Sequence, residues 1–175
     1  MKAEKIPVLI GMVLIILLAF LIIWQAGIFG VSKDRLEQDA RQKQHVAGSW
    51  EMAQAVDDNI CAMLFYDEDK GNYAYSIYLT KGGLSYGYFY RQGGTDAYME
   101  EGVKGLVFED KGIALLSLNE DKVCKIVVDN NVEERTIQVD SDQPFAIVLP
   151  IDCSAITMYD AQENVVTLYD TFTGA

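Results

Sequence analysis

Between Lys5 and Lys33 the chain runs for 24 residues, Ile6 to Phe29, without a charge. No other stretch restricts the possible folds so severely. As a helix it rises about 36 Å, at roughly 1.5 Å per residue, and crosses a hydrocarbon core of about 30 Å with some tilt. In lipid every backbone N–H and C=O must find a partner inside the element, so one isolated segment can span only as a helix. Trp24 near the exit and Lys5 at the entry suit the two interfaces. The run exceeds the roughly 7–15 residues of a signal-peptide core, and Ala26-Gly27-Ile28 and Gly30 form a poor cleavage site, so an uncleaved anchor is expected. Lys2 and Lys5 precede the span while Lys33, Arg35, Arg41 and Lys43 follow it. The short basic N-terminus and the scarcity of Lys and Arg further on favour an N-in orientation with the C-terminal domain outside the cytoplasm. The expected division is a cytoplasmic tail over 1–5, a transmembrane helix over 6–29, a helical stalk or linker over 30–48 and a β-rich domain over 49–175.

The remainder of the 175 residues suits one domain with its own core. Residues 46–175 hold 22 acidic and 8 basic side chains, a net charge of −14. This excludes a basic nucleic-acid binder and disfavours anionic partners, which the domain would repel.

Residues 33–57 lack Pro and are rich in helix formers. The first part, to about Gln44, is almost entirely polar, with Leu36 and Ala40 as its only apolar pair, and reads as a solvated stalk. In the second part Ser49 is a candidate N-cap and Trp50, Ala53, Val56 and Ile60 recur at helical spacing, predicting a short helix against the domain.

From Asn59 onward, runs of β-branched and aromatic residues alternate with Gly, Asp and Asn clusters about every 8–12 residues, the pattern of an all-β sandwich or barrel. Strands are expected over 60–66, 73–80, 84–91, 103–109, 112–118, 123–129, 132–139, 145–149, 155–160 and 165–171. No helical crossover pattern separates them, so the sheets should be mainly antiparallel. Gly82-Gly83 and Asn130-Asn131 supply residues that tolerate positive φ at turns, and Thr95–Gly102 could hold a helical turn. The last seven strands, with alternation at Ile137 and Val139, at Phe145, Ile147 and Leu149, and at Ile156 and Met158, resemble an immunoglobulin-type sandwich in architecture.

Candidate chemistry is sparse. Cys61, Cys124 and Cys153 sit in or beside apolar runs without metal-like spacing, so they read as buried thiols. A Cys61–Cys153 disulfide is conceivable in an oxidising space. The sole histidine, His45, falls in the polar stalk, which argues against Ser-His and Cys-His catalysis. Asp67, Asp69 and Asn72 in YDEDKGN suggest a calcium loop, but Gly71 occupies a ligand place and no Glu stands at position twelve, so a turn is the better reading. Tyr-Asp recurs at strand ends, and Asp is common there because its carboxylate caps its own backbone. No metal or other cofactor is implied.

The most distinctive feature is one Tyr-rich hairpin, with Tyr73, Tyr75 and Tyr78 on one strand and Tyr86, Tyr88 and Tyr90 on the next. Period-two geometry puts Tyr86, Tyr88 and Tyr90 on one face, either as a core wall or as a platform for glycan or peptide. Tyr86, Tyr88, Tyr90, Tyr73 and Tyr75 are therefore the candidate binding residues. The functional expectation is a membrane-anchored, extracytoplasmic, non-catalytic binding or structural module of the cell envelope, contacting lipid through 6–29 and a protein or glycan through the domain. The alternatives are an envelope hydrolase using a carboxylate pair and an accessory subunit of a membrane complex.

Overall fold

In the computed structural model, residues 5–25, 27–108 and 110–172 are described, and within the first helix the side chains of residues 10–21. Residues 1–4 of the expected tail and the Trp24 side chain lie outside the described set. Helix α1 covers Lys5–Gln25 and helix α2 covers Leu36–Gln44, preceded by a 3-10 turn at Lys33–Arg35. Twelve strands follow: β1 (Glu51–Val56), β2 (Ile60–Tyr66), β3 (Tyr73–Thr80), β4 (Tyr88–Gly94), β5 (Val103–Phe108), β6 (Gly112–Ser117), β7 (Val123–Asp129), β8 (Glu134–Gln138), β9 (Phe145–Leu149), β10 (Ala155–Asp160), β11 (Val165–Val166) and β12 (Leu168–Phe172). The protein is mostly β, with largely antiparallel sheets.

Three four-stranded sheets form, ordered β1-β2-β3-β4, β12-β5-β6-β9 and β11-β10-β7-β8. All pairings between these strands are antiparallel except β12 with β5, which is parallel. Period-two alternation assigns each strand's residues to different layers. Ile60, Ala62 and Leu64 of β2 meet Leu106, Ala114 and Leu116 in one cluster, between the first two sheets. Ile113 and Leu115 of β6 point the other way, onto Ile126, Val128 and Met158 of the third sheet. The second sheet is thus covered on both faces, and β6 is buried along its whole length.

The far face of the first sheet is covered by α2. Cys61, Met63, Phe65, Tyr78 and Tyr88 pack with Leu36 and Ala40, which are wholly inaccessible to solvent. The segment expected to be a solvated stalk is therefore a structural layer, because its one apolar pair, spaced i and i+4, is enough to seal the sheet. Arg41 reinforces it: its guanidinium bonds Glu37 and the carbonyls of Ala47 and Trp50, and lies 4.9 Å from the centre of the Phe65 ring. His45, in the left-handed region with φ 55°, closes the helix.

Two further expectations are corrected. The helix predicted from Ser49 is absent, and Glu51–Val56 forms edge strand β1 against β2, from Glu51 opposite Tyr66 to Val56 opposite Cys61. The helical stripe misled because Trp50, Met52 and Val56 also fit period two and pack on the α2 side. Helix formers take the strand state here because β2 supplies a ladder of backbone partners that outweighs local propensity. Likewise, α1 ends at Gln25 rather than continuing to Phe29. Residues 28–31 are extended and bridge to the β-domain, Phe29 to Tyr86 and Val31 to Tyr88.

Judged on the described residues, no helix is long and apolar enough to cross a membrane. In α1 the stretch described with its side chains is residues 10–21, about 18 Å of rise, against the roughly 30 Å of a hydrocarbon core.

Candidate functional site

Tyr86, Tyr88 and Tyr90 do not share one face, and the six tyrosines divide between three environments. Tyr73 and Tyr75 face the second sheet and are buried there. The Tyr73 hydroxyl donates to the Asp96 carbonyl at 3.2 Å. Tyr78 and Tyr88 face α2, where Tyr78 donates to the Asp39 carboxylate at 2.5 Å and Tyr88 donates to the Asp57 carbonyl. Burial, then the neighbouring carboxylates, push the Tyr73 and Tyr78 hydroxyls well above the ordinary tyrosine range. Tyr90 is 39% exposed, edge-on to Tyr78, with the Gln44 amide donating to its hydroxyl and the Lys43 ammonium 5.3 Å from its ring centre. Only Tyr86 stands well out of the domain, 63% exposed.

Backbone geometry explains the split. The third predicted strand, 84–91, begins only at Tyr88, because Gly87 has φ +86° and breaks the alternation between Tyr86 and Tyr88. A register shift between Ile77 and Tyr78, opposite Gln92 and Tyr90, then adds a residue to β4.

What the structure builds at this end is a backbone clip. Tyr86 N–H donates to the Ile28 carbonyl and Gly30 N–H to the Tyr86 carbonyl, at 2.8 and 2.7 Å. Val31 and Tyr88 exchange a second reciprocal pair, at 2.7 and 2.8 Å. Two glycines permit the approach. A Cβ on Gly30 would lie 2.5 Å from the Tyr88 carbonyl oxygen, and one on Gly87 2.7 Å from that of Val31. Beyond the clip, Phe29 stacks on Tyr86 with ring centres 6.2 Å apart, and Leu84 lies two residues from Tyr86 on the same connection. Phe29 and Leu84 are 64% and 79% exposed. Sequence reasoning missed both, one because it continued the apolar run and the other because it was counted into a strand. A large apolar residue directly after Gly82-Gly83 is the signal that could have pointed to Leu84.

The remaining candidates are structural. Cys61, Cys124 and Cys153 are free thiols. Cys61 packs under α2 whereas Cys153 packs against the core between the second and third sheets, so the first two sheets' shared core lies between them and the conceivable Cys61–Cys153 disulfide is not formed. Burial pushes the Cys61 thiol up to about 11. The YDEDKGN segment is a turn: the Asp67 carboxylate accepts from the Asn72 backbone at 3.2 Å and from its side-chain amide at 2.6 Å, which holds Asp67 below the usual carboxylate range. Asp160 uses Asn164 in the same way, both bonds at 2.8 Å, so the recurrent Tyr-Asp pair is one turn device used twice. Among the described residues no group of three His, Cys, Asp or Glu side chains is arranged to hold a metal ion.

Shallow grooves also mark the surface of the described residues. One brings together Gln44, His45, Trp50, Asn72, Tyr73 and Glu100 beneath the end of α2. Another, between the second and third sheets, is lined by Glu133, Arg135, Ile137, Pro150 and Cys153. Comparison with known proteins finds no matching family model, no similar curated protein and no similar solved structure.

Proposed function

We propose that this protein is a single-pass, membrane-anchored module whose β-domain lies outside the cytoplasm and binds or supports other envelope components rather than performing catalysis. The observation that carries this reading is the surface of α1. Every large apolar side chain from Ile10 to Leu21 is at least 50% accessible, from Val13 at 50% to Ile15 at 68%. A helix that is apolar all round requires an apolar surrounding, and a bilayer supplies one. The backbone of α1 runs for 21 residues, which at about 1.5 Å each is close to a hydrocarbon thickness.

The binding side of the reading draws on two observations. An immunoglobulin-type reading of residues 103–172 is supported by the strand orders β5-β6-β9 and β11-β10-β7-β8, which would correspond to A-B-E and G-F-C-C′. Architecture of this kind hosts many recognition modules but carries no activity by itself. In addition, the buried polar groups of the tyrosine cluster and the β6–β7 connection are engaged within the domain, as at Tyr73, Tyr78, Tyr88 and Asn119, which suits scaffolding better than proton transfer.

The test is membrane fractionation of the full chain, with an alkaline carbonate wash, alongside Ile15→Arg with Leu17→Arg. Retention of the parent and release of the variant are expected. Release of the parent by carbonate would refute the anchor. Protease added to intact cells should remove the domain, and digestion only after lysis would place it in the cytoplasm.

A further inference from the structure

We propose that Phe29, Leu84 and Tyr86 form a membrane-contacting foot that seats the β-domain directly on the lipid surface, so that the domain does not swing on a tether. This rests on the anchor reading and specifies how the domain meets the bilayer. Helix α1 ends at Gln25, and Ile28 is already hydrogen-bonded to Tyr86. Three residues of chain reach at most about 10 Å, so the clip lies next to the end of the helix.

The segment that a linker would need, 30–48, is used otherwise. Residues 30 and 31 are locked by the clip, and Leu36 and Ala40 are sealed against the first sheet. The tie between the end of α1 and the domain is therefore short. The three side chains the clip displays are the kinds that favour a bilayer interface: an aliphatic Leu, a Phe, and a Tyr with an apolar body and a polar tip. Phe29 and Tyr86, at 64% and 63%, are more exposed than any other aromatic among the described side chains of the domain, and Leu84 beside them is 79% exposed. Lys81 sits at the root of the same connection with its ammonium 4.0 Å from the Phe89 ring centre, a long stem able to carry its charge toward headgroups. Because the domain is strongly acidic, this contact is apolar in character and requires no anionic lipid.

The test places an indole at the foot. The full chain carrying Trp24→Phe and Leu84→Trp is reconstituted in phosphatidylcholine vesicles, with lipids brominated near the headgroup as quencher. Val132→Trp in the same background is the control, since Val132 is 91% exposed in the β7–β8 turn. Bromolipid should remove most of the added emission at position 84 and leave that at position 132 unchanged. Adding Phe29→Ser and Tyr86→Ser should weaken the quenching while flotation with vesicles persists.

Equal emission in plain and brominated vesicles, from protein that floats, would overturn the foot and leave the anchor standing. Equal quenching at both positions would also overturn it. A blue-shifted but unquenched indole at position 84 would assign the surface to a second copy or a protein partner instead of lipid. Failure of the chain to float would refute the anchor and the foot with it.

Discussion

Single residues in this protein act mainly by where they hold protons and backbone. The Cys61 thiol, raised to about 11 by burial, keeps its proton more tightly in the folded state than in the unfolded chain, where it titrates near 9.0. Its contribution to stability is therefore fully present below about pH 9 and is lost as the pH rises through about 11. Urea unfolding of the full chain in detergent should show a falling midpoint across this window, and Cys61→Ala should flatten part of the fall. Tyr73 and Tyr78 are shifted in the same direction and account for a further loss at higher pH. In mildly alkaline buffer Cys61 should resist an alkylating reagent until urea unfolds the domain, as mass spectrometry of the labelled peptide would reveal. Gly87 acts through its backbone. Gly87→Ala would hold a side chain at φ +86° and press it on Val31, at a cost of about 1–2 kcal/mol from the backbone alone. The expected sign is faster proteolysis between residues 26 and 32.

At the scale of elements, a few side chains decide whether pieces of secondary structure join the domain. Helix α2 is polar on all but one narrow stripe, and Leu36 and Ala40 supply its buried contacts. Leu36→Ala should cost about 2–5 kcal/mol, as for other large-to-small changes in a sealed core, and should expose Met63 and Phe65; intrinsic fluorescence of Trp50 would follow it. The β6–β7 connection depends on Asn119, held at φ 61°. Its side-chain oxygen accepts from Val123 N–H at 2.8 Å, and its amide reaches the carbonyls of Val123, Asp140 and Gln143 at 3.0–3.2 Å. Asn119→Ala leaves the buried N–H and carbonyl of Val123 short of a partner, and a loss of about 1–3 kcal/mol is expected in the unfolding free energy.

Over the whole molecule, the stack of helix, sheet, sheet and sheet makes the second sheet the centre. Leu115 and Leu116, adjacent in β6, face opposite cores and are both inaccessible. Leu115→Asp and Leu116→Asp should each abolish folding, visible as loss of the near-ultraviolet circular dichroism signal, because either places a charge without a solvated face. In a two-layer sandwich one of the two would face water and be tolerated. Most of the strand pattern was legible in the sequence. Runs 60–66, 73–80, 123–129, 145–149 and 155–160 coincide with observed strands, since alternation and turn residues are local signals. The helical turn near Tyr98 also forms, capped by the Asp96 carboxylate on Tyr98 N–H at 3.1 Å. Less of the candidate site was legible, because the fate of each tyrosine depends on Gly87 and on the extra residue in β4.

The sequence by itself determined that an uncharged apolar segment precedes an acidic, β-rich domain, because hydropathy, charge and period-two alternation are written residue by residue. Only the tertiary structure decided that Glu51–Val56 is a strand, that α2 is a lid, and that Phe29 belongs to the domain. Each of those outcomes is set by partners distant in sequence: a neighbouring strand offering hydrogen bonds, an uncovered sheet face, and two glycines that let backbones approach. Local propensity carries no record of such partners, and their contact energies exceed the small preferences it encodes.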